Sequence, residues 1–344
     1  HFDHCGSARQ DEVEKLKRGD MLNTEEEKKA GRMEELKTEI ASFAAGENRS
    51  SHEMNEETRT VVDFRSLLKE FRKDKLAVIA LGTLSLLLLL VFVGSVFFDA
   101  SQVMQVDLLN RYASPGKGHL LGTDEAGRDV LGQLLLGART SLMAGTAVTA
   151  LNGFIGIGLG LLSGYYGGLL DRLLMRFIDF IMVLPASVLV LVLMTTLSEY
   201  NLFTFILLMS AFSWAGKSKV FRNRTQSETK RDYVRASKTA GTNDLLIMFR
   251  EILPNFGSLV IINTTMSLAR NIGMETGLSF SGFGLPSTVP SLGNLLRYAI
   301  SPTVFENYLW VWLPASTFIF AMLLCIIYVG QALRRAADAK QMQA

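Results

Sequence analysis

The stretch LAVIALGTLSLLLLLVFVGSVFF, residues 76–98, decides the fold class of this chain of 344 residues. It holds twenty-three consecutive residues without a charged side chain. As an α-helix, such a stretch crosses the roughly 30 Å of hydrocarbon in a bilayer. It lies too far from residue 1, and is too long, to be typical of a cleaved signal peptide. The sequence therefore predicts an integral membrane protein.

Five more apolar segments follow, and windowed hydropathy places them at 139–163, 173–197, 202–216, 257–281 and 309–331. The fourth is short, about 22 Å as a helix, and we expect the Lys217 ammonium to reach for the membrane surface and so lengthen it. Proline lies inside two segments, at Pro185 and Pro314, and predicts a kink in each. We predict an all-α integral membrane protein with six transmembrane helices.

Basic residues are distributed unequally between the two sides of these spans. With both termini inside, the inner flanks hold nineteen Lys and Arg residues and the outer loops hold four. Because cytoplasmic loops carry the excess of Lys and Arg, both termini are predicted to be cytoplasmic. The inner flanks are 54–75, 163–172, 217–256 and 332–344, and the outer loops are 99–138, 198–201 and 282–308.

The chain before the first span falls into two parts. Residues 1–53 hold nine basic and thirteen acidic residues, and we expect a poorly ordered extension outside the functional core. Residues 54–75 repeat apolar side chains at helical spacing with basic residues between them, which predicts an amphipathic helix on the inner leaflet. Those apolar side chains are Phe64, Leu67, Leu68 and Phe71.

Several kinds of site are disfavoured by the residues present. The letters AGKS at 215–218 resemble the end of a phosphate-binding loop, but Ala211 stands where that loop needs glycine, so ATP hydrolysis by this chain is not expected. Cys5 and Cys325 lie at opposite ends of the chain, which does not indicate a disulfide framework or a thiolate metal site. We therefore expect no catalytic residue and no metal ligand.

Glycines recur at every fourth position in the second span, at Gly156, Gly160 and Gly164. This spacing leaves one helix face without side chains, and it predicts close contact with another helix. A nucleotide-binding loop is the alternative, but no strand precedes the run and it lies in an apolar segment.

The inner flank 217–256 contains the charged stretch RDYVRASKTAGTNDLLIMFREILPN, residues 231–255. We predict a helix over Asp232–Ala240, a bent or left-handed backbone at Gly241, and a second helix that ends before Pro254. Thr242, Asn243 and Asp244 are the candidate caps of the second helix.

A helix–glycine–helix unit of this kind suits docking in a groove on another protein. Tyr233, Val234, Leu245, Leu246 and Phe249 supply apolar anchors on its charged surface. The alternative is a solvated loop that only links the fourth and fifth spans. Docking is favoured because a plain linker has no need for two capped helices.

The stretch resembles the cytoplasmic coupling loop of binding-protein-dependent ABC importer permeases. Arg235, Ala236 and Ser237 match the first positions of the family signature, Gly241 matches its glycine, and Ile252, Leu253 and Pro254 match its end. Stretches 119–142, 175–193 and 275–296 resemble further blocks of the oligopeptide, dipeptide and nickel branch, second permease subunit type. The resemblance covers roughly 60–330 and implies a type I importer permease fold.

The resemblance also implies partners. They are a second homologous permease, two cytoplasmic ABC ATPases that bind ATP and Mg, and an extracytoplasmic solute-binding protein that delivers peptide. No nucleic acid is expected, and the location is a bacterial or archaeal inner membrane. The residues expected to couple to the ATPase are Asp232, Tyr233, Arg235, Ala236, Gly241, Asp244 and Pro254.

The outer loop 99–138 is predicted to carry a surface helix before a membrane core over 139–331 and a tail over 332–344. Its block Thr123, Asp124, Arg128 and Asp129 admits acid–base or cation-ligand roles. Helix capping is the favoured alternative, because acids suit the positive end of a helix. By resemblance, this block lies where the solute-binding protein docks.

Three polar residues of the fifth span, Arg270, Asn271 and Glu275, need a partner or a cavity because ionisable groups are costly in the bilayer. Asn271 and Glu275 are four apart, so a hydrogen bond between them is the simplest expectation. Lining of the translocation path and contact with the second permease remain equally open.

A nickel importer, an ion-coupled secondary transporter and a membrane-embedded enzyme are the alternative functions.

Overall fold

The computed structural model describes residues 71–116, 118–197 and 200–341, with side chains described as far as residue 337. The extension 1–53 and most of the amphipathic helix predicted over 54–75 lie outside these residues. Within them the chain is helical, with two isolated β-bridges in the outer loop and no strand.

The α-helices, numbered along the described chain, are α1 (Lys75–Gly94), α2 (Ala100–Val103), α3 (Val130–Tyr166), α4 (Gly168–Val183), α5 (Ala186–Thr196), α6 (Leu202–Ser213), α7 (Ala215–Glu228), α8 (Asp232–Thr239), α9 (Asp244–Leu246), α10 (Leu253–Asn255), α11 (Gly257–Phe280), α12 (Leu292–Arg297), α13 (Pro302–Asn307) and α14 (Leu309–Gln341). A π-helical turn, Ile247–Ile252, joins α9 to α10. Short 3₁₀ turns follow α1 and α12, and a third, Leu108–Asn110, lies in the outer loop.

Three described helices are long and apolar enough to cross a membrane: α1 with its 3₁₀ turn, α3 and α14. Two bent pairs meet the same criteria when each is taken as one span, which gives up to five among the described residues. One pair is α4 and α5, which meet at 72°, and the other is α9–α10 and α11, which meet at 73°.

The bend between α4 and α5 lies at Pro185, as the sequence predicts. Leu184 and Pro185 both have extended backbone (ψ 130° and 100°), and Pro185 precedes the first residue of α5. The pyrrolidine ring removes the amide hydrogen that a continuous helix would use, so the helix ends and restarts in a new direction. Pro314, in contrast, lies inside α14, which continues to Gln341.

The second predicted span and the predicted surface helix before it are one helix. The sequence placed the start of the span at residue 139, whereas α3 begins at Val130, where the Asp129 carboxylate accepts a hydrogen bond from the Gly132 amide at 2.7 Å. Hydropathy marks where the surroundings change from water to lipid, and it does not mark where a helix begins. The prediction of a separate surface helix is therefore wrong.

The glycine face of α3 packs closely on α7, as predicted. A Cβ atom added to Gly160 would lie 2.9 Å from the Ser218 carbonyl oxygen, and one added to Gly164 would lie 2.7 Å from the Arg222 carbonyl oxygen. Both distances are too short for a side chain, so the two backbones approach each other only because these positions are glycine.

The fourth predicted span continues beyond its expected end. Trp214, between α6 and α7, keeps right-handed helical dihedral angles (φ −80°, ψ −25°), so the helical path runs on to Glu228. The Lys217 ammonium lies 3.4 Å from the backbone carbonyl oxygen of Thr149, which is near the middle of the second span. The expectation that Lys217 reaches for the membrane surface is wrong, because a carbonyl group of α3 accepts its hydrogen bond.

Candidate coupling loop and the polar groups of the spans

The coupling loop, residues 217–256, turns at Gly241 in the way the sequence predicts. Gly241 has φ +82°, a region that is costly for residues with a Cβ. Its amide donates to the Lys238 carbonyl at 3.1 Å, and the Thr242 amide donates to the Ser237 carbonyl at 3.2 Å. This pair of bonds is the Schellman arrangement that ends a helix at a left-handed glycine.

The second half of the loop departs from the prediction. Asn243 is the cap that the structure selects, because its Oδ1 accepts a hydrogen bond from the Leu245 amide at 3.0 Å. The predicted end before Pro254 is wrong, since helical backbone continues to Asn255. Pro254 lies in the first turn after the π-helical turn, a position where a helix tolerates the missing proline amide hydrogen.

Apolar side chains fix the loop to α3 and α7. The buried set contains Val234 of α8, residues of the π-helical turn, Leu161 of α3 and Phe221 of α7, each at most 3% exposed. Burial of one such side chain is worth about 1.5–3 kcal/mol. The full set is Leu161, Phe221, Val234, Ile247, Met248, Ile252 and Phe256.

Two of the predicted coupling residues form hydrogen bonds that hold the loop. Asp244 accepts a hydrogen bond from the Tyr165 hydroxyl at 2.6 Å, and the Tyr233 hydroxyl donates to Glu228 at 3.0 Å. Burial, followed by the nearby Glu228 charge, raises the pKa of Tyr233 to about 12. Both residues hold the loop in place, and neither side chain is free on the surface.

Glu228 is a residue that the sequence reasoning missed. It is 1% exposed and pairs with Arg224 at 2.9 Å and with Arg231 at 3.2 Å, besides Tyr233. A buried carboxylate requires such compensation. A hydrogen bond also joins the two halves of the loop, from the Ser237 hydroxyl to the Glu251 carboxylate at 2.6 Å.

The remaining predicted coupling residues are exposed: Asp232, Arg235, Ala236, Gly241 and Pro254. In α8, Asp232, Arg235 and Ala236 occupy one face at helical spacing, opposite the buried Val234. After the turn, an exposed apolar triplet follows, made of Leu245 (53%), Leu246 (50%) and Phe249 (55%). The coupling loop thus presents charged and apolar side chains to the surroundings on a fixed support.

The outer block consists of Thr123, Asp124, Arg128 and Asp129. It is organised around Asp124, which is fully buried. Its Oδ2 accepts hydrogen bonds from Arg128 Nε at 2.9 Å, Gln133 Nε2 at 3.0 Å and the Tyr298 hydroxyl at 3.0 Å. Its Oδ1 accepts from the Ala126 and Arg128 amides at 2.8 and 2.9 Å. Burial and the Asp124 charge raise the pKa of Tyr298. A carboxylate with this many donors is structural.

Thr123 is also fully buried, and its hydroxyl accepts a hydrogen bond from the Ala113 amide at 2.8 Å. Asp129 is the residue that caps α3, and its other oxygen lies 3.0 Å from His119 Nδ1. Thr123 and Asp124 therefore shape the outer surface without presenting side chains on it, which corrects the expectation of direct partner contact through them. Arg128 and Asp129 are partly exposed.

In the fifth span, the expected hydrogen bond between Asn271 and Glu275 is replaced by bonds to other groups. Asn271 Nδ2 donates to the Thr149 hydroxyl at 2.8 Å. Glu275, 1% exposed, accepts hydrogen bonds from the Ser279 hydroxyl at 2.9 Å and from the Thr276 hydroxyl at 3.3 Å. Asn271 thus joins α11 to α3, Glu275 bonds to hydroxyl groups of its own helix, and Arg270 is exposed.

The part of the chain that the structure describes contains no group of three or more His, Cys, Asp or Glu residues arranged to hold a metal ion.

Comparisons with known proteins identify the family of this chain. Residues 156–342 match the family model described as binding-protein-dependent transport system inner membrane component, and residues 64–115 match the N-terminal TM domain of oligopeptide transport permease C. The chain is 45% identical to the oligopeptide transport system permease protein OppC of Lactococcus lactis over 80% of its length and 94% of the relative's.

More distant relatives have similar names. The chain is 31% identical to oligopeptide permease OppC of Bacillus subtilis over 80% of this chain and 90% of that protein. It is 33% identical to the oligopeptide permease AmiD of Streptococcus pneumoniae over 80% of this chain and 89% of that protein. The chain belongs to the family of inner-membrane permease components of binding-protein-dependent transport systems, which are transport proteins and not enzymes.

Proposed function

We propose that this chain is a membrane-spanning permease subunit of an ATP-driven importer of oligopeptides or dipeptides. It works with a second homologous permease, two cytoplasmic ATPases that bind ATP and Mg, and an extracytoplasmic binding protein that delivers the peptide. The names of relatives that match over most of their length support the peptide cargo. The family membership supports the dependence on a binding protein.

The proposal includes six spans with both termini in the cytoplasm. The spans are α1, α3, the bent pair α4–α5, the consecutive helices α6–α7, α11 and α14. The distribution of basic residues supports this orientation. The helical backbone at Trp214 supports the fourth span, because it lets the short apolar helix α6 continue into α7.

The observation that best supports the proposal is the structure of the coupling loop. One side of the loop is fixed by a buried apolar set and by the Tyr165–Asp244 hydrogen bond. The other side leaves Arg235, Leu246 and Phe249 exposed. A rigid support with an exposed, mixed apolar and charged surface suits a contact with another protein. We assign that contact to the ATPase, whose closure would then move α3 and α7.

At the outer face, we assign contact with the solute-binding protein to the region around Arg128 and Asp129. Thr123 and Asp124 support this region from behind, through hydrogen bonds to the loop backbone and to Tyr298. Contact regions on both faces allow the binding protein and the ATPase to act on the same equilibrium between outward-facing and inward-facing conformations. Each partner shifts this equilibrium only if it binds one conformation better than the other.

The experiment that tests the proposal is reconstitution of the full transporter in proteoliposomes. With peptide-loaded binding protein outside and ATP on the ATPase side, we expect peptide uptake that requires ATP hydrolysis. Binding protein without peptide should stimulate hydrolysis less. Uptake by this chain alone, driven by an ion gradient, would instead identify a secondary transporter, and uptake of nickel without uptake of peptide would identify the nickel alternative.

A further inference from the structure

A cavity of about 400 Å³ lies beside the first turns of α3. On that side it is lined by Leu136, Arg139, Thr140 and Met143. These positions follow the spacing i, i+3, i+4, i+7, so they share one face of the helix. Arg139 is also the first residue of the span that hydropathy predicts over 139–163. Under the proposed orientation, the cavity therefore lies where the membrane core meets the outer loops.

The opposite side of the cavity is formed by the loop between α11 and α12. Thr288, Val289 and Pro290 line the cavity from this loop, and Ala100 lines it from the first turn of α2. Three separate parts of the chain thus enclose one space. Five of the eight lining residues are apolar, two are threonines and one is arginine. A mostly apolar lining with a few polar groups is typical of a ligand pocket.

Hydrogen bonds hold the loop side of the cavity in place. Asn294 of α12 donates from Nδ2 to the Val289 carbonyl at 3.0 Å. Just beyond the lining residues, the Leu292 amide donates to the hydroxyl of Ser141, a buried residue of α3, at 3.2 Å. The loop is therefore fixed both to its own helix and to the helix that forms the other side. A pocket with fixed walls is preorganised, so binding costs less ordering entropy.

The Arg139 guanidinium is the charged group of the lining. Among the residues that the structure describes, none forms a hydrogen bond or an ion pair with it. The lining contains no carboxylate, and Asp99, next to the lining in sequence, caps α2 by accepting from the Ser101 amide at 3.0 Å. A cleft with one uncompensated cation attracts anions.

We propose that this cavity binds the C-terminal residue of a peptide that leaves the binding protein. Arg139 takes the carboxylate, and the apolar lining takes the side chain. The inference rests on the proposed function, since it names the part of the peptide that the cavity takes. A guanidinium forms two parallel charge-assisted hydrogen bonds with a carboxylate. Because every linear peptide ends in a carboxylate unless it is modified, such a site recognises the cargo without reading its sequence.

The position of Arg139 favours the peptide over an acidic side chain of the binding protein. We assign contact with the binding protein to the region around Arg128 and Asp129. Arg139 follows Asp129 by ten residues, which is about 15 Å along α3. An Asp or Glu side chain that starts at that contact region is too short for this distance, whereas the end of a released peptide is not limited in this way.

The test uses the complete transporter in proteoliposomes and two peptides of identical sequence, one with a free C-terminal carboxylate and one amidated. The same peptide-saturated binding protein serves all variants, so its own preference cancels. The readout is the ratio of initial ATP-dependent uptake rates, acid over amide. We expect Arg139→Gln to lower this ratio about tenfold, which corresponds to the loss of about 1.4 kcal/mol.

The matched control is Arg111→Gln, which removes an exposed cation from the outer loop and should leave the ratio unchanged. Arg139→Lys keeps the charge and should keep most of the ratio, even if Arg139→Gln fails to assemble. An unchanged ratio in Arg139→Gln would overturn the inference. Equal loss of both rates would overturn it too, because that result would assign Arg139 to an acidic group of the binding protein. If the unmodified transporter imports neither peptide, the proposed function itself fails.

A second variant tests the apolar part of the cavity. Met143→Trp fills part of the space, and Met143 is half exposed, so folding should tolerate the change. We expect uptake of a peptide that ends in phenylalanine to fall several-fold relative to one that ends in glycine. Phe154→Trp enlarges an exposed side chain of the same helix outside the lining and should not change this ratio. Equal ratios in the two variants would contradict binding of the terminal side chain.

Thiol labelling gives a measurement that does not depend on transport. In a chain with Cys5→Ser and Cys325→Ser, Thr288→Cys should react faster with an anionic thiosulfonate than with a cationic one of similar size, because Arg139 attracts the anion. Adding Arg139→Gln should remove this preference. Equal rates before Arg139 is replaced, or no reaction with either reagent, would contradict an accessible cationic cavity.

Discussion

The hydroxyl group of Tyr165, at the inner end of α3, donates a hydrogen bond to the carboxylate of Asp244 at 2.6 Å, across 79 residues of sequence. The Lys238 ammonium lies 5.6 Å from the centre of the Tyr165 ring, on the other arm of the coupling loop. One tyrosine thus contacts both halves of the loop. Because α3 also reaches the outer block, this contact connects the coupling loop to the longest described helix of the membrane core.

Tyr165→Phe should loosen the loop without unfolding the membrane core. The substitution removes the hydroxyl and leaves the Asp244 carboxylate short of one donor, which costs about 1–3 kcal/mol locally. We expect faster amide hydrogen exchange over 241–249 and a smaller stimulation of ATP hydrolysis by peptide-loaded binding protein. Tyr166→Phe is the control, because Tyr166 is half exposed and lies next in sequence. Equal effects of the two substitutions would contradict the role assigned to Tyr165.

Gly241→Val should disable coupling through backbone strain. No atom lies within 4 Å of a Cβ built on Gly241, so crowding is not the cause. The residue has φ +82°, and a β-branched side chain in that region costs about 1–2 kcal/mol or more. We expect normal membrane insertion with loss of ATP-driven uptake. Gly257→Val, at an equally open position without positive φ, should keep more activity, and full coupling in Gly241→Val would refute the docking geometry.

The exposed apolar triplet should be needed for binding the ATPase. Leu246→Asp places a charge where we expect a desolvated contact, and interface positions of this kind cost about 2 kcal/mol or more when disrupted. Co-purification of the ATPase with the tagged chain should fall about thirtyfold or more in apparent affinity, while the second permease remains bound. Phe305→Asp, on an outer segment and equally exposed, is the control. Unchanged ATPase binding would remove the triplet from the interface.

Asp124→Asn should destabilise the outer block. The substitution leaves the Arg128 guanidinium, which is 16% exposed, without its carboxylate partner, and breaking a buried pair costs about 3–5 kcal/mol. We expect a lower melting temperature of the detergent-purified chain and weaker stimulation by the binding protein. Glu125→Gln changes the neighbouring exposed carboxylate and should have little effect on melting. Similar melting of the two variants would show that Asp124 is not the centre of the network.

Features that depend on local chemistry were predictable. The length of the apolar run 76–98 indicates a span, and α1 covers most of it. The turn at Gly241, the bend at Pro185 and the close contact along Gly156, Gly160 and Gly164 all follow from what a residue without a side chain, or without an amide hydrogen, permits in its own backbone.

Predictions failed where the neighbouring residue in space is distant in sequence. Lys217 was expected at the membrane surface, but a carbonyl group 68 residues earlier in the chain accepts its hydrogen bond. Asn271 was expected to bond Glu275, but Thr149 of another helix takes that bond. Asp124 was expected on a contact surface, but Tyr298, 174 residues later, meets it in the interior.

The sequence by itself determined that the chain is a helical membrane protein, which side its basic loops favour, and where its backbone must turn. These properties depend on transfer of side chains into lipid and on allowed dihedral angles, which are set residue by residue. The tertiary structure decided which predicted coupling residues are exposed, which ones hold the loop, and that Lys217 of α7 contacts Thr149 of α3. A polar group in a membrane core bonds to whichever partner packing brings near, and packing is settled only when all the helices meet.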